Sequence, residues 1–187
     1  PTNSELGVEL ERRRFGQLDR TWSGPEFNRL LGKAMAENRD DFILALYLGR
    51  YAGFRIHECF RMDTAAAEQA LRENALTVKG KGGKVRTVPI EDERILMMLK
   101  RVLAQTERGH KLLVPDGMPT DRAINALELF IYRYRNGISD EGSDRRLTFH
   151  GLRHTYAAEK YTRLTEDGMS AIDAHYAVSR LLGHERA

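Results

Sequence analysis

Apolar residues recur with helical spacing along most of this chain, and the pattern changes period in only one place. After a capping-box sequence at 23–26, apolar residues follow at i, i+3, i+4, i+7 and i+8 as far as Met35. Further helical patterns are found at 42–51, 54–62, 63–73, 94–104, 123–134, 151–163 and 170–182. Residues 75–78 and 85–90 are instead short β-leaning runs. The sequence therefore predicts an α+β fold, mostly α, with one small antiparallel sheet and a polar loop at 136–146.

Length and composition restrict the class of protein further. The 187 residues are typical of a single domain that buries its own core without disulfides or metals. The longest apolar run, at 42–48, is too short to cross a bilayer, and residues 1–20 lack the apolar core of an export signal. The one cysteine, Cys59, can form no intramolecular disulfide. We therefore predict a reducing, cytoplasmic setting without membrane contact, associated with the nucleoid if the source is bacterial.

The change of period surrounds a glycine-rich hairpin that carries positive charge. Four cations and no anion occur within eight residues, at Lys79, Lys81, Lys84 and Arg86. Because glycine has no side chain, such a tip can enter a DNA groove and place a lysine against a phosphodiester. A solvated basic turn is the alternative interpretation, and the net charge of +3 does not decide between the two.

Three further patterns place titratable residues where they can bind an anion. With helical spacing, His150 and Arg153 lie on one side of a helix, where they can converge on one phosphate. Arg55 and Glu58 form an i, i+3 pair in which the acid can hold the arginine, and His184 follows a glycine that ends a helix. Each pattern also fits an ordinary structural role, such as a surface ion pair that contributes little stability.

A zinc site is the main alternative for the histidines. His150, His154 and His184 are available, but the glutamate of an HExxH motif and a second cysteine are both missing from the sequence. His154 therefore fits a supporting or packing role better. No Walker A, Rossmann or GxSxG pattern is present either. The sequence predicts neither a metal nor a cofactor.

In this order and spacing the patterns resemble the tyrosine recombinase (phage integrase) family. The resemblance rests on GFRIHE (53–58), VKGKGGKVRTVPI (78–90), FHGLRHTYA (149–157) and LLGH (181–184). It covers about residues 23–187 and implies the helical catalytic domain of that family, with a small antiparallel sheet. Residues 1–22 would then be a linker or arm from a missing N-terminal DNA-binding domain.

The resemblance also implies a role for each matched residue. Arg55 and Arg153 would hold the non-bridging oxygens of a phosphodiester, and His184 would donate a further hydrogen bond to them. Glu58 would support Arg55. No metal would be required, because the two arginines and a lysine would supply the positive charge.

The remaining roles concern proton transfer and DNA contact. Lys81 would be the general acid for the leaving 5′-oxygen, and His150 would assist as a base toward an attacking tyrosine. Lys79, Lys84 and Arg86 would contact DNA.

The main difference between this sequence and the family pattern concerns the nucleophile. It is a tyrosine on the helix that follows the position of His184, and this sequence ends at Ala187. Tyr156, Tyr161 and Tyr176 all precede LLGH and lack the expected context. We therefore expect this chain not to cleave DNA, whereas a longer form with the tyrosine would exchange DNA strands through a 3′-phosphotyrosyl intermediate. The expected partner is double-stranded DNA; the longer form would assemble as a tetramer on it, and this chain alone would be a monomer.

Two other functions stay open at this point. A naturally truncated, non-enzymatic relative would bind DNA without cleaving it. A type IB topoisomerase-like enzyme would share the chemistry but relax DNA instead of exchanging strands.

Overall fold

Helices account for most of the fold, and one two-stranded sheet accounts for the rest of its regular structure. The computed structural model describes residues 19–80, 83 and 85–183. Within those ranges the elements are, in chain order, α1 (Gly24–Ala36), α2 (Asp40–Ala52), α3 (Ile56–Cys59), α4 (Thr64–Glu73), β1 (Ala75–Lys79), β2 (Val85–Pro89), α5 (Glu93–Leu103), α6 (Thr120–Ile138), α7 (Phe149–Glu166) and α8 (Ala171–Leu182). The predicted α+β class is confirmed. None of these helices has both the length and the apolar composition that crossing a membrane requires.

Most of the helices begin at a residue whose side chain caps them. Ser23 and Glu26 form the capping box predicted for α1: the Glu26 N–H donates to Ser23 Oγ at 3.1 Å, and the Ser23 N–H donates to Glu26 Oε2 at 2.9 Å. The side chains of Asp63, Asp92, Thr148 and Ser170 cap α4, α5, α7 and α8. Such caps satisfy N–H groups that have no partner within the helix, so the local sequence determines where these elements start.

Several helices differ in length from the sequence prediction, and α6 and α3 are examples. α6 continues to Ile138, into the residues predicted to form a polar loop. Ile138 is 1% exposed and extends the buried stripe of Leu127 and Ile131, so burial of its side chain stabilises the last turn. α3 is a single turn within the predicted helix at 54–62, because Gly53 has a positive φ of 65° and Arg55 is still extended.

The sheet has the predicted hairpin topology. β1 and β2 are antiparallel, with a register that pairs Ala75 with Pro89 and Lys79 with Val85. Leu76 and Val88 face each other across the strands and are both 1% exposed, so one face of the sheet belongs to the core. β2 ends at Pro89, as predicted, and the next residue, Ile90, donates its N–H to the carbonyl of Asn74 at 3.0 Å.

α2 is the central helix, as its apolar sequence predicted. It packs against α1, α5 and α7, and all but a few of its residues are buried. Gly49 allows α2 and α7 to approach closely: a Cβ there would lie 2.9 Å from the ring of Phe149. Arg50 joins the same two helices, since both of its terminal nitrogens donate to the carboxylate of Glu159 at 2.5 Å. The second half of α2 is thereby held against α7 at two points, Phe149 and Glu159.

Trp22 packs against the first turns of α7. Its indole N–H donates to the carbonyl of Thr148 at 2.9 Å, its backbone N–H donates to Thr155 Oγ1 at 2.7 Å, and it is 2% exposed. Gly151 makes this contact possible, because a Cβ there would lie 2.4 Å from the carbonyl oxygen of Arg20. The linker prediction for residues 1–22 stays a prediction, and residues 1–18 of it lie outside the described part of the chain.

The connection from α6 to α7 is tied to α1 by a buried acid. Glu26 is fully buried and accepts from the backbone N–H of Asp140 and from Arg145 Nη2, both at 3.1 Å. Arg29 Nη2 donates to the Asp140 carboxylate at 2.5 Å. These bonds order the segment that the sequence predicted as a loop, and that segment leads directly into α7.

Candidate active site

Glu58 lies at the centre of a group of arginines. The backbone N–H of Arg55 donates to Glu58 Oε2 at 2.7 Å, and Arg55 Nη1 donates to Oε1 at 3.0 Å. Arg86 reaches the same carboxylate from β2 and donates to both oxygens, each at 2.7 Å. The Glu58 side chain is 4% exposed. One buried carboxylate thus holds two guanidinium groups from different motifs.

These contacts control the ionisation of Glu58. Burial alone would raise the pKa of its carboxyl group, but hydrogen bonds from Arg86 and Arg55 outweigh that effect and lower the pKa to about 2. Glu58 is therefore ionised at neutral pH, and the pairs with both arginines are charged.

Arg153, which lies on α7, connects three of the motif segments. Its two terminal nitrogens donate to the carbonyl oxygens of Gly53 and of Leu182, the second at 2.6 Å. Leu182 is the last residue of α8, where the helix dipole leaves partial negative charge that favours a guanidinium. Because Gly53 precedes Arg55 and Leu182 precedes His184, these bonds bring the segments GFRIHE, HGLRH and LLGH together.

The two site arginines are also close enough to affect each other. Burial lowers the pKa of Arg153 to about 10, and the positive charge of Arg55 is the second cause. Arg153 is 3% exposed, whereas about a third of the Arg55 side chain is exposed. A buried guanidinium and a partly exposed one thus lie near each other, and each disfavours the charge of the other.

His150 lies in the first turn of α7, at the edge of this positive charge. Its ring is 4.6 Å from that of His154, at an angle of 86°. Partial desolvation and the positive charges of Arg153, Arg20 and Arg55, together with His154, lower the pKa of His150 below its ordinary value. The imidazole of His150 is therefore neutral at pH 7, the form that can accept a proton.

We expect the ring of His150 to titrate below 6.5 in the free chain, and its pKa to increase when Arg20→Ala removes one neighbouring charge. NMR of the ring protons against pH measures both values. Because folding lowers the pKa, the folded state binds this proton less readily than the unfolded chain does. The contribution of neutral His150 to the free energy of unfolding is therefore present above pH 6.5 and is lost as the pH falls below 6.5. Arg72→Ala, on an exposed position of α4, is the control, and an equal shift in that variant would contradict the assignment.

Tyr156 lies beside the site but is built into the packing. Its ring rests against Gly53, where a Cβ would lie 2.5 Å from Tyr156 Cδ1. Burial raises the pKa of Tyr156 to about 12, which is opposite to the activation that a nucleophile needs. This agrees with the expectation that Tyr156 is not the nucleophile.

The sequence matches a family model over nearly the whole of the described fold. The model described as the phage integrase family covers residues 25–187. The chain belongs to the phage integrase family of tyrosine recombinases. A comparison of this family member with curated proteins finds no significant match.

Solved structures of recombinases share the fold of this integrase-family chain. XerA recombinase matches with a TM-score of 0.63 and 21% identity, over 91% of this chain and 58% of that one. A lambda integrase dimer bound to a COC′ core site matches with a TM-score of 0.68 and 16% identity, over 99% and 50%. The Tn1549 transposon integrase in complex with circular intermediate DNA matches with a TM-score of 0.63 and 16% identity, over 94% and 60%. The chain spans less than two thirds of each of these proteins.

Some of the predicted site residues are not placed together by the described structure. Lys81, Lys84 and His184 lie outside the described residues, and Lys79 is exposed at the end of β1. Arg86 differs most from its predicted role, since its side chain is 9% exposed and paired with Glu58 instead of standing on the hairpin tip.

Two contributors to the site lie outside the sequence motifs. Arg20 adds positive charge near His150, and Trp22 supports the start of α7, but neither lies in a motif. Among the described residues, one group of side chains is close enough to share a cation, namely Glu107, His110 and Asp116. All three are exposed, lie between α5 and α6, and belong to none of the family motifs.

Proposed function

We propose that this chain is the catalytic domain of a site-specific DNA recombinase, an integrase of a mobile element, and that its arginines bind the phosphodiester that is cut. The observation that supports this most is that Arg153 donates to the carbonyl oxygens of Gly53 and Leu182, which brings it, from a separate motif, to the segment that carries Arg55. Both side chains are held in position, Arg55 by Glu58 and Arg153 by two backbone carbonyls. Such preorganised charge costs no rearrangement when the transition state forms.

The proposed reaction is phosphoryl transfer to a tyrosine. The tyrosine oxygen attacks phosphorus and its proton passes to His150, while the bond to the 5′-oxygen breaks and Lys81 protonates that oxygen. Arg55, Arg153 and His184 hold the non-bridging oxygens as negative charge increases on them. Positioning and charge stabilisation are the main sources of catalysis in this class of reaction. The phosphotyrosyl bond conserves the energy for rejoining, so strand exchange needs no ATP.

We infer that none of the tyrosines among the 187 residues is the nucleophile. We propose that catalysis uses a tyrosine beyond the LLGH motif, with a DNA-binding domain upstream that completes a clamp around the duplex. The 187-residue chain alone is then a monomer that binds DNA without cutting it. The test of cleavage uses the full-length natural protein and a nicked DNA substrate. Formation of a covalent protein–DNA adduct supports the proposal. Absence of the adduct, with folding and DNA binding intact, favours a non-enzymatic DNA-binding protein. Relaxation of supercoiled DNA without strand exchange would favour a topoisomerase.

The 187-residue chain is expected to bind duplex DNA with an affinity that falls steeply with salt, because binding releases counterions from the phosphates. Replacing the exposed Lys79 with glutamine is expected to decrease the slope of log K against log salt by about one. Fluorescence anisotropy at several salt concentrations measures both quantities.

Arg72→Gln, which removes an exposed charge from α4, is the matched control and should leave the slope unchanged. An equal decrease in both variants would show that the hairpin has no special role in DNA binding.

A further inference from the structure

Arg86 is the most completely enclosed charge of the hairpin strands. Both of its terminal nitrogens donate to Glu58 at 2.7 Å, and the side chains of Arg86 and Glu58 are 9% and 4% exposed. A guanidinium in that position is not available to a DNA phosphate without breaking a buried ion pair.

The same side chain touches the end of α8. A Cβ at Gly183 would lie 3.2 Å from Arg86 Cδ and 3.3 Å from Nη1, so the guanidinium lies directly against this residue. The guanidinium also lies 5.6 Å from the ring centroid of Phe54, the residue before Arg55. Arg86 therefore contacts the segments GFRIHE and LLGH while it belongs to the strand that follows the hairpin tip.

The geometry at Glu58 shows what Arg86 does for Arg55. A carboxylate can accept a bidentate pair from one guanidinium, and here Arg86 makes that pair while Arg55 makes a single side-chain bond to Oε1. Without Arg86, both oxygens of Glu58 would be open to the Arg55 guanidinium. Such a bidentate pair would hold the Arg55 guanidinium more strongly than its present single bond and draw it away from an incoming phosphate.

We propose that Arg86 is a positioning residue that restrains Glu58, so that Arg55 stays directed at the phosphodiester. Arg86 also holds β2 against Gly183 at the end of α8. This inference rests on the proposed recombinase function. It assigns Arg86 a role different from the DNA contact that its place in a basic hairpin predicts. Lysine cannot replace Arg86 in this role, because a single ammonium group cannot bind both carboxylate oxygens as the two terminal nitrogens of a planar guanidinium do.

The kinetic test uses the full-length natural protein and Arg86→Lys. We expect the cleavage rate at saturating DNA to fall roughly 10- to 100-fold, as expected for a displaced catalytic group, with KM unchanged within about twofold. Arg72→Lys is the control and should cleave like the natural protein, since Arg72 is exposed on α4. If Arg86→Lys cleaved DNA at the same rate as the natural protein, the inference would be overturned. If the natural protein itself formed no covalent adduct, the proposed function would be overturned instead.

A binding test on the 187-residue chain is independent of cleavage. Arg86→Gln should leave the slope of log K against log salt unchanged, because a positioning residue neutralises no phosphate. If Arg86 contacted a DNA phosphate, the substitution would decrease that slope by about one. Such a loss would overturn the inference. Circular dichroism shows whether each variant folds. If Arg86→Lys does not fold, Arg86→Gln, the variant of the binding test, replaces it in the kinetic test and must show the same loss of rate at unchanged KM.

Discussion

Replacing Arg153 with lysine is expected to lower the rate of DNA cleavage about 10²- to 10³-fold, the usual loss when one preorganised donor to a developing negative charge is removed. Lysine keeps the positive charge but has a single nitrogen, so it cannot reproduce the planar arrangement in which two separate nitrogens donate to the carbonyls of Gly53 and Leu182. The measurement is the initial rate of covalent protein–DNA adduct in a form of the chain that includes the family's tyrosine.

The control for this prediction is Arg122→Lys, at an exposed position of α6, which should cleave normally. Thermal unfolding of Arg153→Lys separates loss of the site from loss of the fold, because Arg153 is buried and bonded to two segments. A correctly folded variant that cleaves at the natural rate would show that Arg153 has only a structural role.

Replacing Glu58 with glutamine is expected to decrease the free energy of unfolding by about 3–5 kcal/mol, the range for breaking a buried ion pair on one side. The amide offers one acceptor oxygen where the carboxylate offers two, so Arg86 is left with a buried and poorly compensated charge. Urea unfolding at neutral pH measures the change. Glu128→Gln, at an exposed position of α6, should change stability by less than about 0.5 kcal/mol.

The same pair makes stability depend on acid. The folded pKa of Glu58 is about 2 against an ordinary 4.5, so the ionised carboxylate contributes stability that is fully present above pH 4.5 and is lost as the pH falls toward 2. A shift of that size corresponds to a contribution on the order of 3 kcal/mol. The difference in stability between the natural chain and Glu58→Gln should therefore shrink between neutral pH and about pH 3. A constant difference would show that the ionised pair is not its source.

Local patterns predicted much of the fold and part of the site. Helix starts followed from caps such as Ser23 with Glu26, and the contact between Arg55 and Glu58 followed from their spacing within one turn. The partner of Arg86 could not be predicted in this way, because Glu58 is 28 residues away along the chain and only tertiary packing brings the two together. Likewise, Ile138 extends α6 because of burial, which the polarity of its neighbours hides.

By itself, the sequence determined the class of fold, the family motifs and the residue types available for phosphate chemistry, since these depend on spacing along the chain. Only the tertiary structure decided which charges meet. Arg153 reaches the carbonyls of Gly53 and Leu182, which are 100 and 29 residues away from it, and Arg86 leaves the basic hairpin to pair with Glu58. The physical reason is that a buried guanidinium must find acceptors wherever packing places them, so its role is determined by the fold and not by its neighbours in sequence.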